Sequence, residues 1–203
     1  MNEPEALALL DARLGDTPKS GHSRAVGEML RVLAAQCGAD PILWALTGFC
    51  HDLDYWETQD DRTRHGILTA QWLGDRLPPE ALDAIRAHDH RTGVTATSAL
   101  AQALRLTDIL VVRAEKEVSD SLAVAAGRVP DSREMPDLDG AVQELLPFVP
   151  LSLQAATQLA HQVVCSRRPV GEATNTGVLC QAAPVQEPQD GHVGTEAWGD
   201  DPK

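Results

Sequence analysis

Aromatic residues are scarce in this chain, and their scarcity narrows the fold class. Phe, Trp and Tyr together make up 3% of the 203 residues, whereas hydrophobic residues make up 43%. The core must therefore be built mainly from Leu, Ala, Val and Ile. Such a composition favours packed helices over a β-sandwich or barrel, which would contain more β-branched and aromatic residues. With no repeats and no strand pattern, the sequence predicts an all-α bundle of roughly six to eight helices.

Basic residues and long apolar runs are also lacking. The chain has 17 Lys and Arg against 30 Asp and Glu, which gives a formal net charge of −13. Binding to a nucleic-acid duplex requires clustered Lys and Arg, and no basic stripe is present, so we expect no duplex as a partner. No apolar run approaches the ~18 residues of a membrane span, and the amino-terminal stretch MNEPEALALL is acidic. We therefore expect a cytoplasmic protein with no membrane partner.

Cysteine pairs and glycine-rich phosphate loops are missing too. The four cysteines are Cys37, Cys50, Cys165 and Cys180, and none of them forms a CxxC pair. This spacing fits neither a zinc knuckle nor a disulfide scaffold, so we expect four reduced thiols. The patterns GxGxxG and GxxxxGK[ST] are absent, which excludes the dinucleotide fingerprint and the P-loop.

The composition changes near residue 169. Residues 169–203 are rich in Gly, Pro and acidic residues without a helical or alternating period, so we expect a disordered acidic tail. Residues 1–168 are interpreted as one helical bundle, with the functional motifs between about residues 20 and 116. The predicted helices are residues 3–14, about 20–37, 41–56, a helix from His65, residues 79–90 and 99–117, and patches around 121–129 and 151–164.

Histidines and carboxylates carry the functional signal. His22 is placed at a helix start, His51 and Asp52 close the most apolar helix, and Asp108 lies inside the apolar run LRLTDILVV. A single histidine at a helix end is commonly a cap or a partner of the helix dipole. A carboxylate in an apolar run, however, needs a cation, a hydrogen-bonding network or a metal. In chain order these residues give the pattern H…HD…D, a ligand set suited to divalent iron, manganese, zinc or magnesium.

This pattern resembles the HD-domain metal-dependent phosphohydrolases over residues 22–115. A two-residue HD alone is a weak signal, but an HD that closes an apolar helix, after a helix-start His and before an Asp in an apolar run, is a strong combination. The sequence also resembles a subgroup of small predicted HD hydrolases with an HDLDY motif. The resemblance implies an HD-domain helical bundle and a divalent metal cofactor. It is carried by GHSRAVGEML, LTGFCHDLDYW, RHGILTAQWL, AIRAHDH and LRLTDILVVRAE.

The resemblance further implies two metal ions. Members with two ions add two histidines between the HD and the final Asp, and His65 and His88 fall at those places. Asp52 would then bridge the ions; the ligands implied for the first ion are His22, His51 and Asp108, and His65 and His88 complete the second. The alternative is one ion, with His65 as a helix cap and His88 as a dipole partner; His90 competes with His88 as a ligand. Iron or manganese is expected, and cobalt, magnesium and zinc also suit these ligands.

One departure concerns the way in which phosphate is held. Many family members read HD-I-G-K, whose lysine lies near substrate phosphate, but this chain has Asp54 and Tyr55 in place of the glycine and lysine. Replacement cations are Arg64, Arg91 and Arg113, each close in sequence to an implied ligand and each equally consistent with a surface ion pair. For catalysis, the resemblance implies that Asp52 orients the attacking water, and Asp54 or His90 is a group that could move protons.

The function implied is a metal-dependent phosphohydrolase that uses activated water on a small phosphomonoester or nucleotide. Two alternatives stay open: an HD-type mixed-valent di-iron oxygenase, and a non-catalytic HD module that binds a nucleotide or a partner protein. The last two helical patches predict core or dimer contacts, so a homodimer is compatible with the sequence.

Overall fold

The structure is a computed structural model that describes residues 1–128 and 139–166. The expected acidic tail, residues 169–203, lies outside the described residues. The described parts contain eight α-helices, four short 3₁₀ helices and no strand, which confirms the all-α class. The α-helices are α1 (Glu3–Leu14), α2 (Pro18–Cys37), α3 (Pro41–Cys50), α4 (Ile67–Leu73), α5 (Pro79–Ala87), α6 (Ala99–Ala125), α7 (Asp139–Leu145) and α8 (Leu153–Cys165). The 3₁₀ helices are Arg62–Arg64, Gly74–Arg76, His90–Thr92 and Leu146–Phe148.

Helix α2 begins earlier than expected. The Thr17 side chain accepts a hydrogen bond from the backbone N–H of Ser20, and Pro18 occupies the first helical position. Both features are typical of helix starts. His22 therefore lies in the second turn of α2, where it is buried, and its side chain does not cap the helix.

Helix α3 is shorter than expected. Asp40 caps it as its sequence predicts, accepting from the N–H groups of Ile42 and Leu43. The helix ends at Cys50, and His51 is its C-cap residue. The segment after it turns back because buried Asp54 is bonded to the start of α4, with its N–H donating to Thr69 Oγ1 over 3.0 Å. The HD pair therefore follows the last turn of the helix.

Helix α6 is longer than expected, because the patch around residues 121–129 continues the preceding helix. It runs for 27 residues without interruption, since no Pro or Gly falls between Ala99 and Ala125. It packs against α2, α5, α7 and α8, which makes it the central helix of the domain. Helix α7 was not predicted, because its seven residues are too few to show a period.

Two glycines allow α2 and α3 to pack closely. A Cβ on Gly48 would lie 2.6 Å from Gly27 Cα, and a Cβ on Gly27 would overlap the Phe49 ring. The helices can approach so closely because neither position carries a side chain. As a result the rings of His22 and His51 lie close together across the contact, with centroids 5.6 Å apart and planes tilted by 55°.

Cysteine chemistry differs from the expectation at one position. Cys37 and Cys50 are free thiols, whereas Cys165 is disulfide-bonded, so the prediction of four reduced cysteines is wrong. Sequence spacing alone did not reveal this bond. Within the described residues, no helix has the length and apolar character needed to cross a bilayer.

Candidate metal centre

His22 is held between two carboxylates. Its Nε2 lies 2.9 Å from Asp108 Oδ1, and its Nδ1 lies 3.2 Å from Glu115 Oε2. Burial alone lowers the pKa of this imidazole, but the hydrogen bonds to Asp108 and Glu115 raise it to about 10. Asp108 is less buried than its apolar neighbours predicted, with 27% of its side chain exposed. It opens into a cavity, and the hydrogen bond from His22 lowers its pKa against the opposing effect of burial.

His51 presents an unpaired nitrogen to the centre. Its Nδ1 lies 2.7 Å from the Gly48 carbonyl oxygen, which can only accept, so Nδ1 carries the proton. Its Nε2 is buried and has no hydrogen-bond partner among the described residues. Burial lowers the pKa of His51 to about 4, so the ring is neutral at pH 7. A neutral imidazole with a free lone pair is the form that binds a metal.

Asp52 lies at the middle of the cluster. Its Oδ1 is 2.9 Å from His65 Nε2, 3.4 Å from His51 Nε2 and 3.5 Å from His88 Nε2. Its Oδ2 is 3.7 Å from Lys19 Nζ. Burial raises the pKa of Asp52, but the neighbouring imidazoles and Lys19 outweigh this and hold it well below its usual range. Asp52 is therefore a carboxylate that adjoins His51, His65 and His88 together.

Asp54 lies behind His65, on the side away from Asp52. Its Oδ1 is 2.7 Å from His65 Nδ1, and its Oδ2 accepts from the backbone N–H groups of Gly66 and Thr69. With carboxylates on both nitrogens, the pKa of His65 is raised to about 9 although burial alone would lower it. Asp54 is fully buried. Its side chain orients His65 and does not line the cavity.

His88 is fixed by the backbone of its own helix. Its Nδ1 lies 2.7 Å from the Ile85 carbonyl oxygen, so its Nε2 faces Asp52. Gly66 packs directly on this ring with φ +73°, and an added Cβ would lie 2.9 Å from His88 Nδ1. Only glycine combines that backbone angle with so close a contact.

The ligand atoms form two groups. His22, His51 and Asp108 compose one, and His51, Asp52 and His88 the other; within each, the ligand atoms all lie within 4.8 Å of one another. His65 adjoins the second group through Asp52. Imidazole nitrogens with carboxylate oxygens suit divalent transition metals. The unpaired Nε2 of His51 gives independent support, because a buried polar atom normally has a partner. The donor set and this atom together fit a divalent ion.

A cavity of about 620 Å³ opens onto the centre. Of the three arginines named from the sequence, Arg91 lines the cavity, whereas Arg64 and Arg113 are not among its lining residues. The Arg91 side chain is oriented by buried Asp89, with Nε 2.9 Å from Asp89 Oδ1. His90 lies at the edge of the cavity with 79% of its side chain exposed.

Three cavity cations were missed by sequence reasoning. Lys19, Arg62 and Arg105 line the cavity beside Arg91. Two of them carried a readable signal, because Lys19 precedes His22 by three residues and Arg105 precedes Asp108 by three. Residues at this spacing share a helix face. Arg62 carried no such signal, since only the turn after α3 brings it to the centre.

The comparisons with known proteins give a family for the region that contains this site. A scan against protein-family models matches residues 20–113 to the HD domain. Searches of curated proteins and of solved structures found no match. The narrower resemblance to small HDLDY hydrolases stays a prediction. The matched region contains every residue of the two ligand groups and nearly all of the residues that line the cavity, so residues 20–113 match the HD-domain family.

Proposed function

We propose that this protein is a metal-dependent phosphohydrolase with a dinuclear centre, acting on a small phosphomonoester or nucleotide. The observation that carries the proposal is the position of the two ligand groups, which contact a cavity lined by four cationic side chains. A chain with a net charge of −13 gathers these cations at one place. Such an arrangement is suited to a phosphate held against a metal centre.

The ligand assignment follows the family resemblance. His22, His51 and Asp108 would hold one ion and His65 and His88 the other, and Asp52 adjoins His51 of the first set and both histidines of the second. Iron or manganese is the proposed metal. When bound, the ions supply Lewis-acid activation of water and stabilise charge that develops on phosphorus. Asp52 orients the attacking water.

The remaining residues support this centre in distinct ways. Arg91, oriented by Asp89, offers the unpaired part of its guanidinium fork to phosphate oxygens. Asp54 is a positioning residue, because all its contacts serve His65 and the start of α4. His90 stands exposed at the cavity edge, where it can exchange a proton with the leaving group.

The cavity shape is consistent with a compact substrate. A volume of about 620 Å³ lies in the ~300–1,000 Å³ range of small-molecule sites. Beside its cations, the wall contains the apolar side chains Ile109, Val112 and Ala141. A phosphate bound at the floor leaves this apolar wall to contact the organic part of the substrate. The cationic wall also favours phosphate chemistry over the di-iron oxygenase alternative.

Metal content is the first test. Elemental analysis of protein purified without chelator should find two equivalents, falling towards one in His65→Ala and in His88→Ala. His161→Ala is the matched control, because His161 pairs with Glu117 outside the cavity and should leave the content unchanged. Phosphomonoesterase and oxygen-uptake assays on the same samples should show the first activity and not the second.

Other outcomes would count against the proposal in different ways. One equivalent, unaffected by either variant, would contradict the dinuclear centre. Oxygen consumption without phosphate release would contradict the phosphohydrolase. No metal after reconstitution with iron or manganese would contradict catalysis altogether and favour a binding module.

A further inference from the structure

Tyr55 contacts two cations beside the metal centre. Lys19 Nζ lies 4.5 Å from the centroid of its ring, and Arg62 Cζ lies 4.4 Å from the same centroid. All three residues line the cavity. Trp56 and His65 meet the Tyr55 ring edge-on, with centroids 5.0 Å and 6.2 Å away. The ring is therefore a fixed surface on which both cations rest.

Lys19 lies where its positive charge is unfavourable for the helix, which suggests that the charge serves the site. The residue is in the first turn of α2, which has no acidic residue to offset it, and a cation there opposes the helix dipole. Among the described residues, its carboxylate partner is Asp52, with Oδ2 3.7 Å from Nζ. Asp52 is also the shared metal ligand proposed above. Once Asp52 binds metal, the ammonium group of Lys19 remains beside the centre with its donors available.

Among the described residues, the Arg62 side chain rests on an aromatic ring. Within residues 1–128 and 139–166 it forms no salt bridge, and its contact is the Tyr55 ring. A guanidinium that stacks on an aromatic face keeps its N–H donors in its own plane. Those donors are available to an anion in the cavity. Arg62 also belongs to the short helix Arg62–Arg64, which packs against the helix His90–Thr92 at the cavity edge.

We infer that Lys19 and Arg62, positioned by the ring of Tyr55, form a clamp for the phosphoryl group at the metal centre. This inference rests on the proposed function and names how that site binds its substrate. The Lys19 ammonium and the Arg62 guanidinium approach the phosphoryl oxygens from the Tyr55 side, and each donates a charge-assisted hydrogen bond to the anionic oxygens. Tyr55 occupies the position at which many family members have the lysine of HD-I-G-K. Here the positive charge comes from Lys19, which the Tyr55 ring holds in place. Tyr55 is thus a positioning residue.

The first test measures binding of inorganic phosphate by calorimetry. The protein is loaded with zinc, and metal content is checked for every variant. Lys19→Met and Arg62→Met should each weaken phosphate binding by roughly tenfold to a hundredfold, as expected for a lost charged hydrogen bond. Lys19→Arg should recover most of the loss. Arg13→Met is the matched control, because Arg13 also stacks on an aromatic ring, 3.9 Å above Trp72, but does not line the cavity.

The second test separates the ring face from the hydroxyl. Tyr55→Phe keeps the face and should bind phosphate within about twofold of the wild type, whereas Tyr55→Leu loses the cation–π contacts and should bind about tenfold more weakly. Because Tyr55 is the one tyrosine of the chain, incorporation of 3-fluorotyrosine gives a single ¹⁹F resonance. That resonance should shift when phosphate is added to the zinc-loaded protein.

The outcomes distinguish this inference from the proposed function. If the wild type hydrolyses phosphomonoesters but Lys19→Met and Arg62→Met bind phosphate normally, the clamp is wrong and the phosphohydrolase stands. Phosphate binding without a ¹⁹F shift, or equal losses in Tyr55→Phe and Tyr55→Leu, also overturns the clamp alone. If the metal-loaded wild type neither binds phosphate nor hydrolyses any phosphomonoester, both proposals fall.

Discussion

Metal binding at this centre should release protons, because two of the ligand histidines are charged when no metal is bound. Each ring nitrogen of His22 and of His65 faces a carboxylate oxygen. These contacts outweigh burial and raise the pKa of His22 to about 10 and that of His65 to about 9. At pH 7.5 both rings therefore carry a proton on the nitrogen that a metal must occupy.

The size of the effect follows from these pKa values. Loading both parts of the centre at pH 7.5 should release about two protons, one from each ring. His51 adds none, since burial lowers its pKa to about 4 and its Nε2 is already free. The pKa of His22 lies three units above pH 7. Displacing its proton at pH 7 therefore weakens the free energy of metal binding at that position by about 4 kcal/mol. Affinity should therefore keep rising with pH above 7, where an ordinary histidine would have levelled off.

Calorimetry in buffers of different ionisation enthalpy measures the released protons directly. Manganese is titrated into chelator-treated protein between pH 6.5 and 8.5, and the slope of heat against buffer enthalpy gives the proton count. In Glu115→Gln the rise of affinity should level off at a lower pH, because His22 Nδ1 loses its carboxylate. His161→Ala should behave like the wild type. A proton count near zero at pH 7.5 would refute the assignment of charged His22 and His65.

Three further predictions concern the supports of the centre. Asp54→Asn should weaken metal binding by about tenfold to a hundredfold, because His65 loses the carboxylate that orients it; unchanged metal affinity would contradict this positioning role. Gly48→Ala should lower the free energy of unfolding by roughly 1–3 kcal/mol, because its Cβ would meet Gly27, and urea denaturation that finds no loss would contradict the close helix contact. Metal-free protein should lose roughly 3 kcal/mol of stability as the pH falls from 6.5 to 4, because the unfolded chain protonates His51 near pH 6.5 whereas the folded chain holds its pKa at about 4. Denaturation midpoints with chelator at these pH values, compared between the wild type and His51→Asn, should show that loss in the wild type alone.

The helical fold could be predicted because its signals are local. Glu3–Leu14 has the bounds that its period and its flanking Gly15 indicated, and the Asp40-Pro41 pair caps α3 as predicted. The errors in the predicted helix bounds also have local causes. Thr17 extended α2 towards the amino terminus, and α6 continued through residues that were assigned to a separate patch. In each case a capping contact or an unbroken helical run outweighed the pattern on which the boundary was placed.

The identity of the ligand residues could also be predicted, because a metal site needs imidazole nitrogens and carboxylate oxygens whatever surrounds them. The pattern H…HD…D and the family resemblance named six residues, and the structure brings all six around one centre. Asp54 was also named, as a group outside the ligand set that could move protons. Its side chain lies behind His65, where hydrogen bonds to the start of α4 hold it. Side-chain direction after a helix end depends on the turn that follows, which no residue pattern specifies.

The sequence by itself determined the helical class, most helix bounds and the chemical identity of the ligand set, since these depend on propensity, capping and residue type. Tertiary structure alone decided which cations face the cavity. Lys19 and Arg62 are 43 residues apart, and the Tyr55 ring brings them together. It also decided the protonation of the histidines: His22 is charged and His51 neutral, although both are buried imidazoles. The difference arises because carboxylates flank one ring and a backbone carbonyl fixes the other, and only packing sets those neighbours.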